Sequence, residues 1–158
     1  MSKIKKILVV CTGNSCRSVM AAGILKSLLK DKAGYEISTA GTVAVKGMQA
    51  TPEAVEVAAE DGIDVSAHLS QPLTEEIIDQ ADLILVMQRK HREHILNIDP
   101  SAESKTHLLS EFGRMPGEDK LVDPNIPDPI GRSIDFYRQV YGIIKEGVLR
   151  TVNKLEER

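Results

Sequence analysis

From Lys5 to Cys11 the chain reads KKILVVC, a continuous β-branched and apolar run without polar alternation, the pattern of a parallel strand buried on both faces. In the following SVMAAGILKSLLKD, the residues Met20, Ile24, Leu25, Leu28 and Leu29 recur at helical spacing, with Ser18 or nearby loop residues available as caps. YEISTAGT (Tyr35 to Thr42) reads as a short second strand. TPEAVEVAAEDGI then opens a helix, with Thr51 as cap, Pro52 at the first helical position and Glu53 and Glu56 in the first turn. LTEEIIDQA repeats that pattern with Thr74 as cap and leads into a buried strand, DLILVM (Asp82 to Met87). RKHREHILNI predicts a polar-faced helix, KTHLLSEF a weaker fourth strand, and SIDFYRQVYGIIKEGVLRTVNKL a long amphipathic helix. Strands alternating with helices predict an α/β fold: an open parallel sheet of about four strands, flanked by helices and joined by right-handed crossovers.

Composition narrows the class. A chain of 158 residues with 42% hydrophobic content is long enough for one compact domain and short for two, so a single domain is expected over 1–158. The formal net charge is −3 and the basic residues are scattered, which argues against nucleic acid and anionic membrane surfaces as partners. The apolar runs are shorter than a membrane span, and MSKIKKILVVCTGN turns polar too early for a signal peptide, so a cytoplasmic location is expected. The two cysteines, Cys11 and Cys16, allow only one bridge across a very short loop, so they read as chemistry rather than as a disulfide framework. No metal or nucleotide motif is present, and no cofactor is expected. His91 and His94 have i, i+3 spacing, but within RKHREH they read as a solvated helix face. His68 and His107 are isolated. The stretch from Gly113 to Arg132 carries four of the chain's seven prolines. An irregular loop of that length is commonly functional, and in doubly wound sheets ligands lie outside the carboxyl ends of the strands, which puts it at the same edge as Cys11.

The junction of first strand and first helix, VVCTGNSCRSVMA, concentrates the candidate chemistry. A loop turning from a strand into a helix points backbone N–H groups into a concavity, where the helix dipole adds partial positive charge. Gly13 permits a tight nest, and the Asn14 amide can hold the loop from within. Arg17 offers a planar fork that matches two oxygens of a tetrahedral oxyanion. Cys11, at the loop's origin, faces the same donors, which favour its thiolate and make it a nucleophile beneath a bound oxyanion. Cys16 is close enough along the loop to form a protective disulfide with Cys11, or it is a small packed residue at a helix start. The late loop holds two Asp-Pro pairs, Asp123-Pro124 and Asp128-Pro129, either of which could be a turn.

VCTGNSCRSVMA, together with STAGT, ADLILVM and IPDPIG, resembles the low-molecular-weight protein-tyrosine-phosphatase family in order and spacing over nearly the whole chain. The resemblance implies that Cys11 attacks phosphorus and that Thr12, Gly13, Asn14, Ser15, Cys16, Arg17 and Ser18 form the phosphate-binding loop. It further implies that Arg17 stabilises the transition state, Ser18 stabilises the thiolate and Asp128 is the acid, leaving Asp123 as a turn residue. The implied partner is a phosphorylated protein. Two departures stand out: Val19 replaces a common proline, which changes helix entry but removes no catalytic group, and Ile130, which bears on substrate, stands where an aromatic usually flanks a phosphotyrosine ring. PLTEEIIDQADLILVM and DPIGRSIDFYRQ also resemble the protein-arginine-phosphatase branch, in which threonine occupies the position of Ser15. Thioredoxin-coupled arsenate reductases share the fold and often carry CTGNSCRS, but they relay through further cysteines that this chain lacks.

Overall fold

A computed structural model describes residues 4–32, 34–115, 118 and 123–157; Asp119, an acidic neighbour in the late loop, lies outside them. The elements in chain order are β1 (Lys6–Cys11), α1 (Arg17–Leu29), β2 (Glu36–Gly41), α2 (Pro52–Glu60), α3 (Glu75–Gln80), β3 (Leu83–Val86), α4 (Arg89–Ile98), a 3-10 turn (Pro100–Lys105), β4 (Thr106–Leu108) and α5 (Ile134–Glu156). The strands form one parallel sheet in the order β2-β1-β3-β4, as the alternation of elements predicts.

The apolar run of β1 explains its central place. Ile7, Val9 and Cys11 enter a core shared with α1, α2 and α5, while Leu8 and Val10 enter a second core with Ile78 of α3 and Ile95 of α4. A strand with alternating polar residues would have left one of these layers unpaired. Each buried aliphatic side chain contributes roughly 1.5–3 kcal/mol of transfer free energy, so the two cores fix the height at which β1 ends and the loop after it begins. No helix among the described residues is long and apolar enough to cross a membrane.

Helix starts mostly follow the sequence. The hydroxyls of Thr51, Thr74 and Ser133 accept the backbone N–H groups of Ala54, Ile77 and Phe136. Glu53 lies in the first turn of α2, but Glu56 falls in the next, because the helix begins at Pro52. The larger difference is in α1. Ser18 is its second residue rather than a cap, and the residue in the cap position, Cys16, makes no side-chain cap hydrogen bond. The first N–H groups of α1 thus keep no side-chain partner at this cap, at the end of the helix where the dipole is positive.

β2 supports the same loop from the side. Thr42 N–H donates to Cys11 O at 3.0 Å and Val43 N–H to Thr12 O at 2.9 Å. A Cβ on Gly41 would lie 2.5 Å from Thr12 O and 2.9 Å from Asn14 N, both backbone atoms without a rotamer to yield. Gly41→Ala is therefore expected to cost about 1–3 kcal/mol of stability and to weaken oxyanion binding. Urea unfolding and calorimetric titration with inorganic phosphate measure the two effects. Unchanged values for both would show that the loop does not depend on this close approach.

Candidate active site

The loop between β1 and α1 turns on Asn14, the one non-glycine residue among the described ones with a positive φ, +54°. Asparagine tolerates that left-handed conformation better than most side chains, and here it is held from several directions. Asn14 is fully buried. Its Oδ1 accepts from Gln71 N–H at 2.9 Å, and its Nδ2 donates to Ser18 Oγ at 2.8 Å. Its carbonyl lies 2.7 Å from His68 Nε2. A carbonyl can only accept, so that ring nitrogen carries the proton. Burial lowers the pKa of His68, which favours the neutral ring. Ser15 O in turn accepts Thr51 N–H at 2.9 Å, tying the loop to the start of α2.

These bonds set the surroundings of the sulfur. Cys11 is buried, and its Sγ lies 3.0 Å from Ser18 Oγ. That hydroxyl accepts from Asn14 and from the Cys11 S–H, and its own proton remains for a thiolate should the sulfur ionise. Cys16 differs. Burial first, then the neighbouring Cys11 and Asp128, push its thiol up to about 12, so it stays protonated at neutral pH. Its Sγ lies 3.7 Å from Asp128 Oδ1. Both cysteines are free thiols.

Arg17 is only 1% exposed, and its guanidinium is oriented by named acceptors. Nη1 donates to Gln88 Oε1 at 2.7 Å and to Ile126 O at 2.8 Å. Nη2 reaches Thr12 Oγ1 at 3.4 Å and Asp128 Oδ2 at 3.6 Å. Nε is buried with no hydrogen-bond partner. One edge of the fork is fixed by protein, and a buried donor remains for an incoming acceptor, an arrangement suited to a tetrahedral oxyanion.

The late loop reaches the carboxyl edge of the sheet as expected, with Ile126 N–H donating to Met87 O just beyond β3. The two Asp-Pro pairs separate clearly. Asp123 Oδ1 accepts from both N–H and Nδ2 of Asn125, whose Oδ1 accepts the first N–H of α4 at Arg89. Asp123 is a turn residue anchoring the loop to α4. Asp128 Oδ1 accepts Ile130 N–H, but its other oxygen faces Arg17, and its side chain is 37% exposed. Beside it, the Ile130 side chain is exposed.

The sequence reading missed Gln88 and His91. His91 is not on a solvated face: it is buried, with Nδ1 accepting Gln88 N–H at 3.0 Å and Nε2 lying 2.9 Å from Thr12 Oγ1. Burial, reinforced by the charges of Arg17 and Lys90, pushes its pKa down to about 3. The missed pattern was a reciprocal cap, Gln88 before the helix and His91 three residues on, which turns the imidazole back towards the sheet edge.

The sequence profile described as "Low molecular weight phosphotyrosine protein phosphatase" matches residues 6–158. The chain is 38% identical over 151 residues to a "Protein-arginine-phosphatase" of Geobacillus stearothermophilus, covering 96% of each. It is 34% identical over 143 residues to the "Low molecular weight protein-tyrosine-phosphatase Etp" of Escherichia coli K12, covering 90% of this chain and 89% of that one. Among solved structures, the tyrosine phosphatase AmsI of Erwinia amylovora superposes with a TM-score of 0.85 at 34% identity, over 97% of this chain and 94% of that one.

The buried imidazole has a consequence for stability. Its folded-state pKa of about 3 lies below the ordinary 6.5, so in acid the unfolded chain takes up a proton that the folded chain refuses. The stability that neutral His91 allows is complete above pH 6.5 and is lost as pH falls towards 3, by at most about 1.4 kcal/mol per pH unit for one group. His91→Asn should flatten the fall in urea midpoint between pH 7 and pH 4 relative to the parent protein. An identical slope in both proteins would contradict the assignment.

Proposed function

The chain belongs to the low molecular weight phosphotyrosine protein phosphatase family, and from that premise we propose that it hydrolyses phosphorylated protein side chains through a cysteinyl-phosphate on Cys11. The observation that carries the reading is the buried Arg17 guanidinium, fixed along one edge by Gln88 and Ile126 with its Nε left without a partner, on the loop that begins at Cys11. Phosphoryl oxygens would take the free edge of that fork and the N–H groups of the loop from Thr12 to Ser18. The Cys11 thiolate attacks phosphorus, the S–P bond forms, and the bond to the leaving oxygen or nitrogen breaks. Asp128 gives that leaving atom its proton. A water then attacks phosphorus and surrenders a proton to Asp128; the S–P bond breaks, inorganic phosphate leaves, and the thiolate returns to its hydrogen bond from Ser18. Arg17 and the loop amides stabilise the charge that builds on the equatorial oxygens in both steps.

Phosphotyrosine is the first substrate reading and phosphoarginine the second. The second is favoured by Ile130, an exposed aliphatic residue beside the acid that offers no aromatic face, and by Ser15, whose hydroxyl can align a guanidinium nitrogen or a water. Arsenate reduction with a cysteine relay is disfavoured, since the chain has only Cys11 and Cys16.

Asp128→Asn is expected to slow turnover by roughly 10² to 10⁴, the range for loss of a general acid, and least for leaving groups that need no proton. Asp123→Asn should leave that leaving-group dependence unchanged. The reverse pattern in steady-state kinetics would move the acid to Asp123.

A comparison of rates on phosphotyrosine and phosphoarginine peptides tests the substrate. Both should be hydrolysed, Ser15→Ile should lower the phosphoarginine rate relative to phosphotyrosine, and Ile130→Tyr should raise the phosphotyrosine rate by up to about tenfold. Phosphoarginine turnover without any on phosphotyrosine would reverse the ranking. Arsenate reduction with thioredoxin as sole donor would defeat both.

A further inference from the structure

Arg17 is restrained on two sides, and both restraints lead to one imidazole. Gln88, which accepts Arg17 Nη1 at 2.7 Å, is the cap residue of α4 and gives its backbone N–H to His91 Nδ1 at 3.0 Å. Thr12, whose Oγ1 lies 3.4 Å from Arg17 Nη2, has the same oxygen 2.9 Å from His91 Nε2. The backbone donor on Nδ1 fixes the tautomer, because a neutral ring that accepts there must carry its proton on Nε2. His91 Nε2–H therefore donates to Thr12 Oγ1. The imidazole spans the sheet edge from α4 to the loop after β1, and it is 1% exposed.

We propose that His91 is a positioning residue: acting through Thr12 and Gln88, it holds the Arg17 guanidinium in the plane that the transferring phosphoryl group requires. It touches neither the phosphorus nor the sulfur. A neutral ring suits the task, since a second cation beside Arg17 would repel the guanidinium it has to align. The inference rests on the phosphatase reading above and adds to it a reason why α4, which contributes no residue to the chemistry, begins where it does.

Two amide substitutions split the functions of the ring. In His91→Asn the side-chain oxygen sits near the place of Nδ1 and can accept Gln88 N–H, but the side chain is too short to reach Thr12. In His91→Gln the longer amide can present its N–H where Nε2 stood. With para-nitrophenyl phosphate, whose leaving group needs no proton from Asp128, His91→Asn should lower kcat about tenfold with KM changed less than about twofold, because misalignment is felt mainly in the transition state. His91→Gln should recover part of that loss. Thr12→Val should lower kcat to a similar degree, and adding His91→Asn to it should lower kcat no further, since residues acting in one chain of contacts are non-additive.

Calorimetric titration with orthovanadate, a transition-state analogue, supplies a readout that does not depend on turnover. Its affinity should fall in His91→Asn by about the same tenfold factor. Thermal unfolding identifies loss of folded protein. Full kcat and full vanadate affinity in His91→Asn, additive losses in the double variant, or losses that match only the fraction unfolded would each overturn the inference. Absence of turnover in the parent protein, with vanadate bound and weakened in His91→Asn, would overturn the phosphatase reading and leave the positioning role standing.

Discussion

The site depends on one residue held in a conformation that most side chains avoid. Asn14 has a φ of +54°, and the cost of that conformation is offset by a carboxamide whose oxygen and nitrogen both have partners and by a carbonyl bonded to His68. The left-handed turn lets the chain leave β1 and enter α1 within five residues, from Thr12 to Cys16. It also places the Ser18 hydroxyl, which accepts from Asn14 Nδ2 and lies 3.0 Å from the Cys11 sulfur. Gly41 completes the arrangement by bringing β2 close enough that even a methyl group would strike Thr12 O.

Around that turn, charge is managed by geometry. A buried guanidinium is costly unless its donors are met, and Arg17 meets two neutral acceptors on one edge while Asp128 stands 3.6 Å away, partly open to solvent. At 3.6 Å the pairing leaves room for the guanidinium to take another partner. The neighbouring groups avoid adding charge: burial and its neighbours keep Cys16 a thiol, and burial beside Arg17 keeps His91 a neutral imidazole. Under the proposed mechanism Cys11 is the sulfur that reacts and Asp128 the carboxyl that moves a proton.

Much of this was legible in the sequence. The continuous apolar run of β1, the Thr-Pro-Glu and Thr-Glu-Glu helix starts at Thr51 and Thr74 and the amphipathic α5 are local patterns governed by local physics, and the structure follows them. The resemblance carried by VCTGNSCRSVMA and IPDPIG agrees with the family and fold found by comparison. Ser18 and His91 read differently in the sequence for a shared reason. A serine at a helix start usually caps, and a histidine amid arginine, lysine and glutamate usually faces water. In both cases a tertiary partner, Asn14 with Cys11 for one and Gln88 with Thr12 for the other, outweighs the local preference. The contacts span 79 positions for His91 and Thr12, a separation that helical periodicity does not report.

The proposed chemistry requires the loop to present the Cys11 sulfur to phosphorus. Rapid acid quench of the protein turning over a phosphotyrosine peptide, followed by peptide mass spectrometry under conditions that preserve S–P bonds, tests it directly. One phosphoryl group is expected, on the peptide containing Cys11 and on its sulfur. Phosphate released at full rate with that sulfur never phosphorylated, or a phosphoryl group trapped on another residue, would contradict it.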